Sequence, residues 1–268
     1  MTLGPSRTRL GNARRYGNTV FHRATAPWRA LPDFIVIGAH KAGTSSLYWY
    51  LTRHPQVVRA RRKEAQFFGR SHERGERYYR SFFPMRRSLG GGRITGEASP
   101  GYLSQPKIPA RVAGLVPDAR LIALLRNPVQ RAISQYRFYY SKGWEQRPLS
   151  EAIDEGIRHN EEGDDDSWKA GMLSRGLYER HLRRWYEHFD QDRLLVVKSE
   201  TLFGEPEKAY RIVTDFLGLE PHGLDKFPPR NVTRPSDAVV DDESVARLEQ
   251  FFSEPNERLF ALLGERLW

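Results

Sequence analysis

Residues 34–46 read Phe-Ile-Val-Ile-Gly-Ala-His-Lys-Ala-Gly-Thr-Ser-Ser (FIVIGAHKAGTSS), an apolar, β-branched run that passes directly into a small-residue loop with hydroxyls and one lysine. Pro32 and Gly38 bound the run, so Phe34 to Ile37 predicts a short strand. Thr44 to Arg53 then carries Leu47, Tyr50 and Leu51 at helical spacing and stops before Pro55, which predicts a helix. Strand, glycine-bearing loop and helix start, in that order, make a site for an anion. Glycines let the backbone approach closely, and the free N–H groups of the first helical turn face the guest. Thr44, Ser45 and Ser46 add hydroxyl donors.

The lysine is out of place for ATP. In the P-loop pattern G-x-x-x-x-G-K-[ST] lysine follows the second glycine directly; here Thr44 stands there, and Lys41 lies before Gly43. The next strand candidate, Ala119 to Leu125 (ARLIALL), is followed by Arg126, where many NTPases carry a magnesium-binding aspartate. Both departures point away from magnesium-ATP chemistry and toward a metal-free site for a tetrahedral anion.

Outward from the loop the strand-turn-helix pattern recurs. After ARLIALL, Asn127 is a candidate N-cap and Pro128 a first helical residue, with a helix to about Tyr140. Arg93 to Thr95 and Arg193 to Val197 read as further strands. Arg77 to Phe83, Ile108 to Leu115, Leu149 to Asn160, a stretch with Leu177, Leu182, Trp185 and Phe189 on one face, and Pro206 to Leu217 read as helices. Residues 241–263 form a terminal helical region broken near Pro255. This alternation predicts an α/β fold: a single domain over residues 31–268, with a central, mainly parallel sheet flanked by helices. Residues 1–30 carry six arginines and no acidic residue, and read as a basic, loosely ordered arm that packs partly through Trp28.

The chain has 268 residues, and 43 Lys+Arg against 33 Asp+Glu give a net charge of +10, which favours anionic partners without naming one. Nucleic acid, acidic polysaccharide and phosphorylated co-substrates all qualify, but no nucleic-acid-binding motif is present. Zero cysteines exclude disulfides, thiol nucleophiles and cysteine-based zinc sites. With no apolar run of about 18 residues and no apolar N-terminal leader, the expectation is a cytoplasmic protein without a membrane span.

The loop at 38–46, taken with Arg126-Asn127-Pro128, Arg131, Ser134 and Tyr136, resembles the sulfotransferase family that uses 3′-phosphoadenosine 5′-phosphosulfate (PAPS). The second set is similar to that family's 3′-phosphate motif R-[DN]-P-x-x-R-x-x-S-x-Y. KEAQFF (Lys63 to Phe68), GEASPGYL (Gly96 to Leu103) and SRGLYERHLRRW (Ser174 to Trp185) resemble the heparan sulfate and related carbohydrate branch. The resemblance implies that Lys41, Ala42, Gly43, Thr44, Ser45 and Ser46 hold the 5′-phosphosulfate, with P-loop-like geometry. It implies Arg126 and Ser134 around the 3′-phosphate, Arg175 and Tyr178 near the adenine, and Arg230 and Arg234 in a covering loop. Lys41 would stabilise the leaving phosphate and Glu64 would be the catalytic base, with Glu97 as the substitute base.

The acceptor implied is a hydroxyl, or an amine, of a glycan or small molecule, and the product nucleotide is 3′-phosphoadenosine 5′-phosphate. No metal is expected. The chain departs from the carbohydrate branch at Gln66, where the branch has histidine, and at Ala98, where it often has lysine. His40 and His181 are expected to pack rather than react, and Trp49 to belong to the core. Two rivals stay open: a P-loop-type kinase or phosphoryl transferase, and a noncatalytic polyanion binder.

Overall fold

The computed structural model describes residues 21–163, 170–230 and 237–268. Strands β1 (Phe34–Gly38), β2 (Gly96–Ala98), β3 (Arg120–Leu125) and β4 (Leu194–Lys198) form one parallel sheet in the order β2-β1-β3-β4. The helices are α1 (Thr44–Leu51), α2 (Gly75–Arg80), α3 (Ile108–Leu115), α4 (Pro128–Tyr140), α5 (Leu149–Glu161), α6 (Tyr178–Tyr186), α7 (Ser199–Gly204), α8 (Pro206–Phe216) and α9 (Asp242–Leu263). All five residues of β1 are buried, as are all of β3 except Arg120, which is why both read as unbroken apolar runs. β2 lies on one side of β1 and β3 on the other. Chain direction across the sheet therefore reverses between β1 and β3, and a crevice opens at their carboxyl ends.

The register sharpens that opening. Val36 pairs with Ile122 and Gly38 with Ala123, so Ile37 is an extra residue in β1 immediately before the loop. Such a bulge bends the strand end and re-aims the loop beyond it. Gly38 is also a contact point: a Cβ there would lie 2.5 Å from Leu103 Cβ.

A large core surrounds the sheet, and a second cluster of Val129, Ile133, Tyr136, Leu149, Ile153, Leu248 and Phe252 joins α4, α5 and α9. Among the described residues no helix is long and apolar enough to cross a membrane.

Four local expectations change. The edge strand is Gly96–Ala98 rather than Arg93 to Thr95, where Ile94 makes only an isolated bridge with Val57. Glycine reads as a strand breaker, yet a Cβ at Gly96 would sit 2.5 Å from the Phe34 carbonyl oxygen, so close pairing requires it. The terminal helix runs unbroken through Pro255, capped by the Asp241 side chain on Ser244 N and buried on both sides of the proline through Phe252 and Leu259. α7 was not expected; its six residues are too few to show a period. In the basic arm, Trp28 is exposed while Arg29 is buried, donating to the Phe83 carbonyl oxygen (2.7 Å) and to Thr25 Oγ1 (2.9 Å). Packing thus begins before residue 31; Arg7, Arg9, Arg14 and Arg15 lie outside the described residues.

Candidate active site

The turn between β1 and α1 holds Lys41 at φ 67° and Gly43 at φ 92°, and the Gly43 carbonyl oxygen accepts from Ser46 N (2.9 Å) and Leu47 N (3.1 Å) to start the helix. Arg126, at the end of β3, reaches across and donates from Nη1 to the Lys41 carbonyl oxygen (3.2 Å). Tyr178, buried at the start of α6, donates to the Arg126 carbonyl oxygen (2.9 Å). Ser199, first residue of α7, donates to the Ala42 carbonyl oxygen (2.8 Å). The two turns singled out in the sequence thus close on each other, braced by two further elements.

The cleft is crowded with cations. Lys41 Nζ lies 4.5 Å from the centre of the Phe138 ring, and burial, then Arg126 and Arg131, lower its pKa to about 8. Arg131 is completely buried on α4, donating to Gln135 Oε1 (2.7 Å) and to the Met172 carbonyl oxygen; among the described residues its Nε has no hydrogen-bond partner. Burial, with Arg175 and Arg126 nearby, lowers the Arg131 pKa to about 10. Burial also lowers that of Arg126, against an opposing pull from Glu200. Asn127 caps α4 as expected, its side-chain oxygen accepting from Val129 N (3.0 Å) and Gln130 N (3.2 Å).

The remaining candidates fall around this centre. Thr44 and Ser46 are buried at the start of α1, and Ser134 is half-buried on α4. Arg175 donates to the Tyr139 hydroxyl (3.4 Å). The Arg230 backbone N–H donates to Ser46 Oγ (2.9 Å), and its guanidinium sits 4.5 Å from the Trp49 ring centre. Arg53 approaches the same indole at 4.3 Å, so half-buried Trp49, packed against the core, also serves as a platform for two guanidinium groups. Arg234 lies outside the described residues.

On the acidic side, Lys63 Nζ bridges Ser45 Oγ (2.9 Å) and Glu64 Oε1 (2.6 Å), which sets Glu64 one cation away from the anion loop. The Glu64 side chain is 42% exposed, so a ligand can reach it beside Lys63. Glu97 is 0% exposed, and each of its oxygens accepts two hydrogen bonds, so the structure corrects its reading as a substitute base. The histidines pack, as expected. Burial first, then neighbouring cations, lowers His40 to about 3; burial lowers buried His181 likewise to about 3, with its Nε2 against the Ser174 carbonyl oxygen (2.8 Å).

Residues 31–231 match the sulfotransferase domain family. The chain belongs to that family. Human heparan sulfate glucosamine 3-O-sulfotransferase 6 is 33% identical over 259 residues, covering 88% of this chain and 73% of its own length. Mouse heparan sulfate glucosamine 3-O-sulfotransferase 3B1 is 38% identical over 208 residues, 77% of this chain and 51% of that enzyme, so the chain spans about half of that relative. A sulfotransferase structure from Alicyclobacillus acidocaldarius superposes with a TM-score of 0.71 at 26% identity, over 88% of this chain and 97% of that one. The protein is therefore a sulfotransferase enzyme, and the phosphoryl-transferase and noncatalytic rivals are set aside.

Two contacts of the sulfotransferase site escaped the sequence. Lys63 sits in the run Arg59, Arg61, Arg62, Lys63, which reads as a solvated charge cluster, and only the fold shows it reaching Ser45. Phe203, 51% exposed on α7, leans over the loop: a Cβ on Gly43 would lie 2.9 Å from its Cε1, and the Arg126 guanidinium is 5.7 Å from its ring centre. A lone aromatic in a six-residue helix gives no signal in advance.

Proposed function

We propose that this sulfotransferase takes its sulfuryl group from PAPS and passes it to a hydroxyl of a carbohydrate or small-molecule acceptor, by in-line displacement without a metal. One observation carries the reading: the Arg126 guanidinium on the Lys41 carbonyl joins two anion-binding turns into a single cleft. The donor set suits a multiply charged anion. Burial lowers the pKa values of Lys41, Arg126 and Arg131, the two arginines lower that of Lys41 further, and the buried Arg131 guanidinium keeps an Nε unpartnered among the described residues, so a bound phosphate or sulfonate group would offset charge that the cleft itself does not balance.

In this reading the amides and hydroxyls of residues 42–46 hold the 5′-phosphate, while Arg126 and Ser134 hold the 3′-phosphate, with Arg175, Tyr178, Arg230 and Arg234 around the nucleoside. The acceptor oxygen forms a bond to sulfur as the bond from sulfur to the bridging phosphate oxygen breaks. Glu64 takes the acceptor proton, and Lys41 neutralises the charge that collects on the departing phosphate. The relatives named for heparan sulfate favour a glycan acceptor. Gln66 and Ala98, at the two departures from the carbohydrate branch, make its contacts to that glycan differ from theirs.

Calorimetric titration with PAPS, ATP and heparin tests the donor, and binding of PAPS no tighter than ATP would refute it. A screen of acceptors with radiolabelled sulfate on PAPS then identifies the substrate. With that acceptor, Glu64→Gln should bind PAPS normally and lose about 100-fold or more in turnover; wild-type turnover in the variant would remove Glu64 from the mechanism.

A further inference from the structure

The turn that carries Glu64 hangs from a buried carboxylate. Glu97, in the middle of β2, accepts on Oε1 from the hydroxyls of Tyr79 (2.6 Å) and Tyr102 (3.2 Å). Oε2 accepts from Ser99 Oγ (2.6 Å) and from the Ala65 backbone N–H (3.2 Å). Among the described residues no lysine or arginine pairs with it, so its charge is held by hydrogen bonds alone.

Three neighbouring amides end on the same stretch of chain. Glu64 N donates to the Ala98 carbonyl oxygen (3.1 Å), Gln66 N to Ser99 Oγ (3.3 Å) and Phe68 N to the Tyr102 hydroxyl (3.4 Å). The turn needs such anchors. Glu64 and Gln66 stand at φ 60° and 52°, a left-handed conformation that is unfavourable for a residue with a Cβ. Phe67, between them and Phe68, stacks flat on Tyr79 with ring centres 4.4 Å apart.

The direction of each hydrogen bond matters. Ser99 and Tyr102 spend their single hydroxyl hydrogens on Glu97, which leaves their oxygens facing the amides of Gln66 and Phe68 as acceptors. An ionised carboxylate can accept from all four donors at once. A protonated acid or an amide at this position would itself be a donor, and one of the hydroxyls would have to turn round.

We infer that Glu97, with Tyr79, Ser99 and Tyr102, is the positioning group of the catalytic turn: it fixes where Glu64 points and touches neither substrate. This rests on the reading of Glu64 as the base. A pH signature accompanies it. Burial raises the Glu97 pKa, against the lowering by its hydrogen bonds, so the anchoring form is lost at a higher pH than for an ordinary carboxylate as the solution is acidified. The groups facing it are hydroxyls: Tyr79 from α2, Tyr102 and Ser99 from the turn after β2, and more distantly Tyr48 from α1, whose own hydroxyl donates to the Gly96 carbonyl oxygen (3.0 Å).

Tyr79→Phe and Glu97→Gln test this in the full chain, with PAPS as donor and the acceptor found in the sulfate screen. Amide exchange at Ala65 and Gln66 should quicken about tenfold in Glu97→Gln while β1 and β3 amides keep their protection. Its kcat should fall about 100-fold with the PAPS KM changed less than about threefold, as expected for a misdirected base. Tyr79→Phe keeps the fold but removes one donor to the ionised carboxylate, so the acid limb of kcat should move up by about one pH unit. An unmoved acid limb in Tyr79→Phe, or unchanged exchange in Glu97→Gln, overturns the inference. Wild-type turnover in Glu64→Gln would instead sink the base assignment, whatever the exchange experiment shows.

Discussion

Replacing Gly43 by alanine probes whether the anion loop works through its backbone shape. Gly43 sits at φ 92°, and a Cβ there would lie 2.9 Å from both Leu202 Cδ2 and Phe203 Cε1. The dihedral alone costs about 1–2 kcal/mol for a residue with a Cβ, and the overlap adds about 1–3 kcal/mol of overpacking. Stability should therefore fall by about 2–5 kcal/mol, a loss of roughly 4–20 °C in Tm for a domain of this size. If the loop escapes the strain by shifting, PAPS affinity should drop instead of Tm, and calorimetry would show it. Phe203→Ala separates the two costs: in that background the Phe203 overlap vanishes while the dihedral cost and the Leu202 contact stay, so Gly43→Ala should be milder by about 1 kcal/mol. Differential scanning calorimetry with and without PAPS reads all four corners of the cycle. Unchanged Tm together with unchanged PAPS affinity in Gly43→Ala would refute the reasoning.

Lys41, with a pKa lowered to about 8, is charged below that pH and neutral above it. The kcat/KM for PAPS should accordingly fall about tenfold for each pH unit above the limb; saturating donor places negative charge beside the ammonium and should move the kcat limb upward. Lys41→Arg cannot lose its charge in this range, so a limb that persists in an active variant assigns the titration to another group. Lys63→Met removes a partly exposed ion pair and should change stability by less than about 1 kcal/mol, yet weaken PAPS binding through the lost contact at Ser45, as calorimetry would show; unaltered affinity would separate Lys63 from the donor site.

The sequence exposes what local rules control. β1 and β3 are legible because burial on both faces leaves continuous apolar runs, and the start of α4 because Asn127 and Pro128 are a capping pair. The meeting of Lys41 with Arg126 is legible only through the family resemblance, which puts both on one donor; that their strands lie side by side comes from the fold. β2 is hidden because Gly96 is demanded by the neighbouring strand and not by its own segment. Glu64 and Glu97 look alike in sequence, each an acid in a motif of the carbohydrate branch. Only three-dimensional packing leaves one half exposed and buries the other under two tyrosines. Trp49 and Lys63 were obscured similarly: their partners Arg230 and Ser45 come from distant parts of the chain.

Arg131 bears on what would follow turnover in the proposed reaction. Its guanidinium is completely buried near Arg126 and Arg175, and among the described residues no carboxylate is bonded to it, which suits the proposed cleft to a nucleotide with two phosphate groups. In the proposed reaction the nucleotide left after sulfuryl transfer would keep both phosphates of PAPS and lose only the sulfuryl group. It would therefore compete with fresh donor for the same cleft. Sustained sulfation by that route would depend on clearing this nucleotide from the cleft.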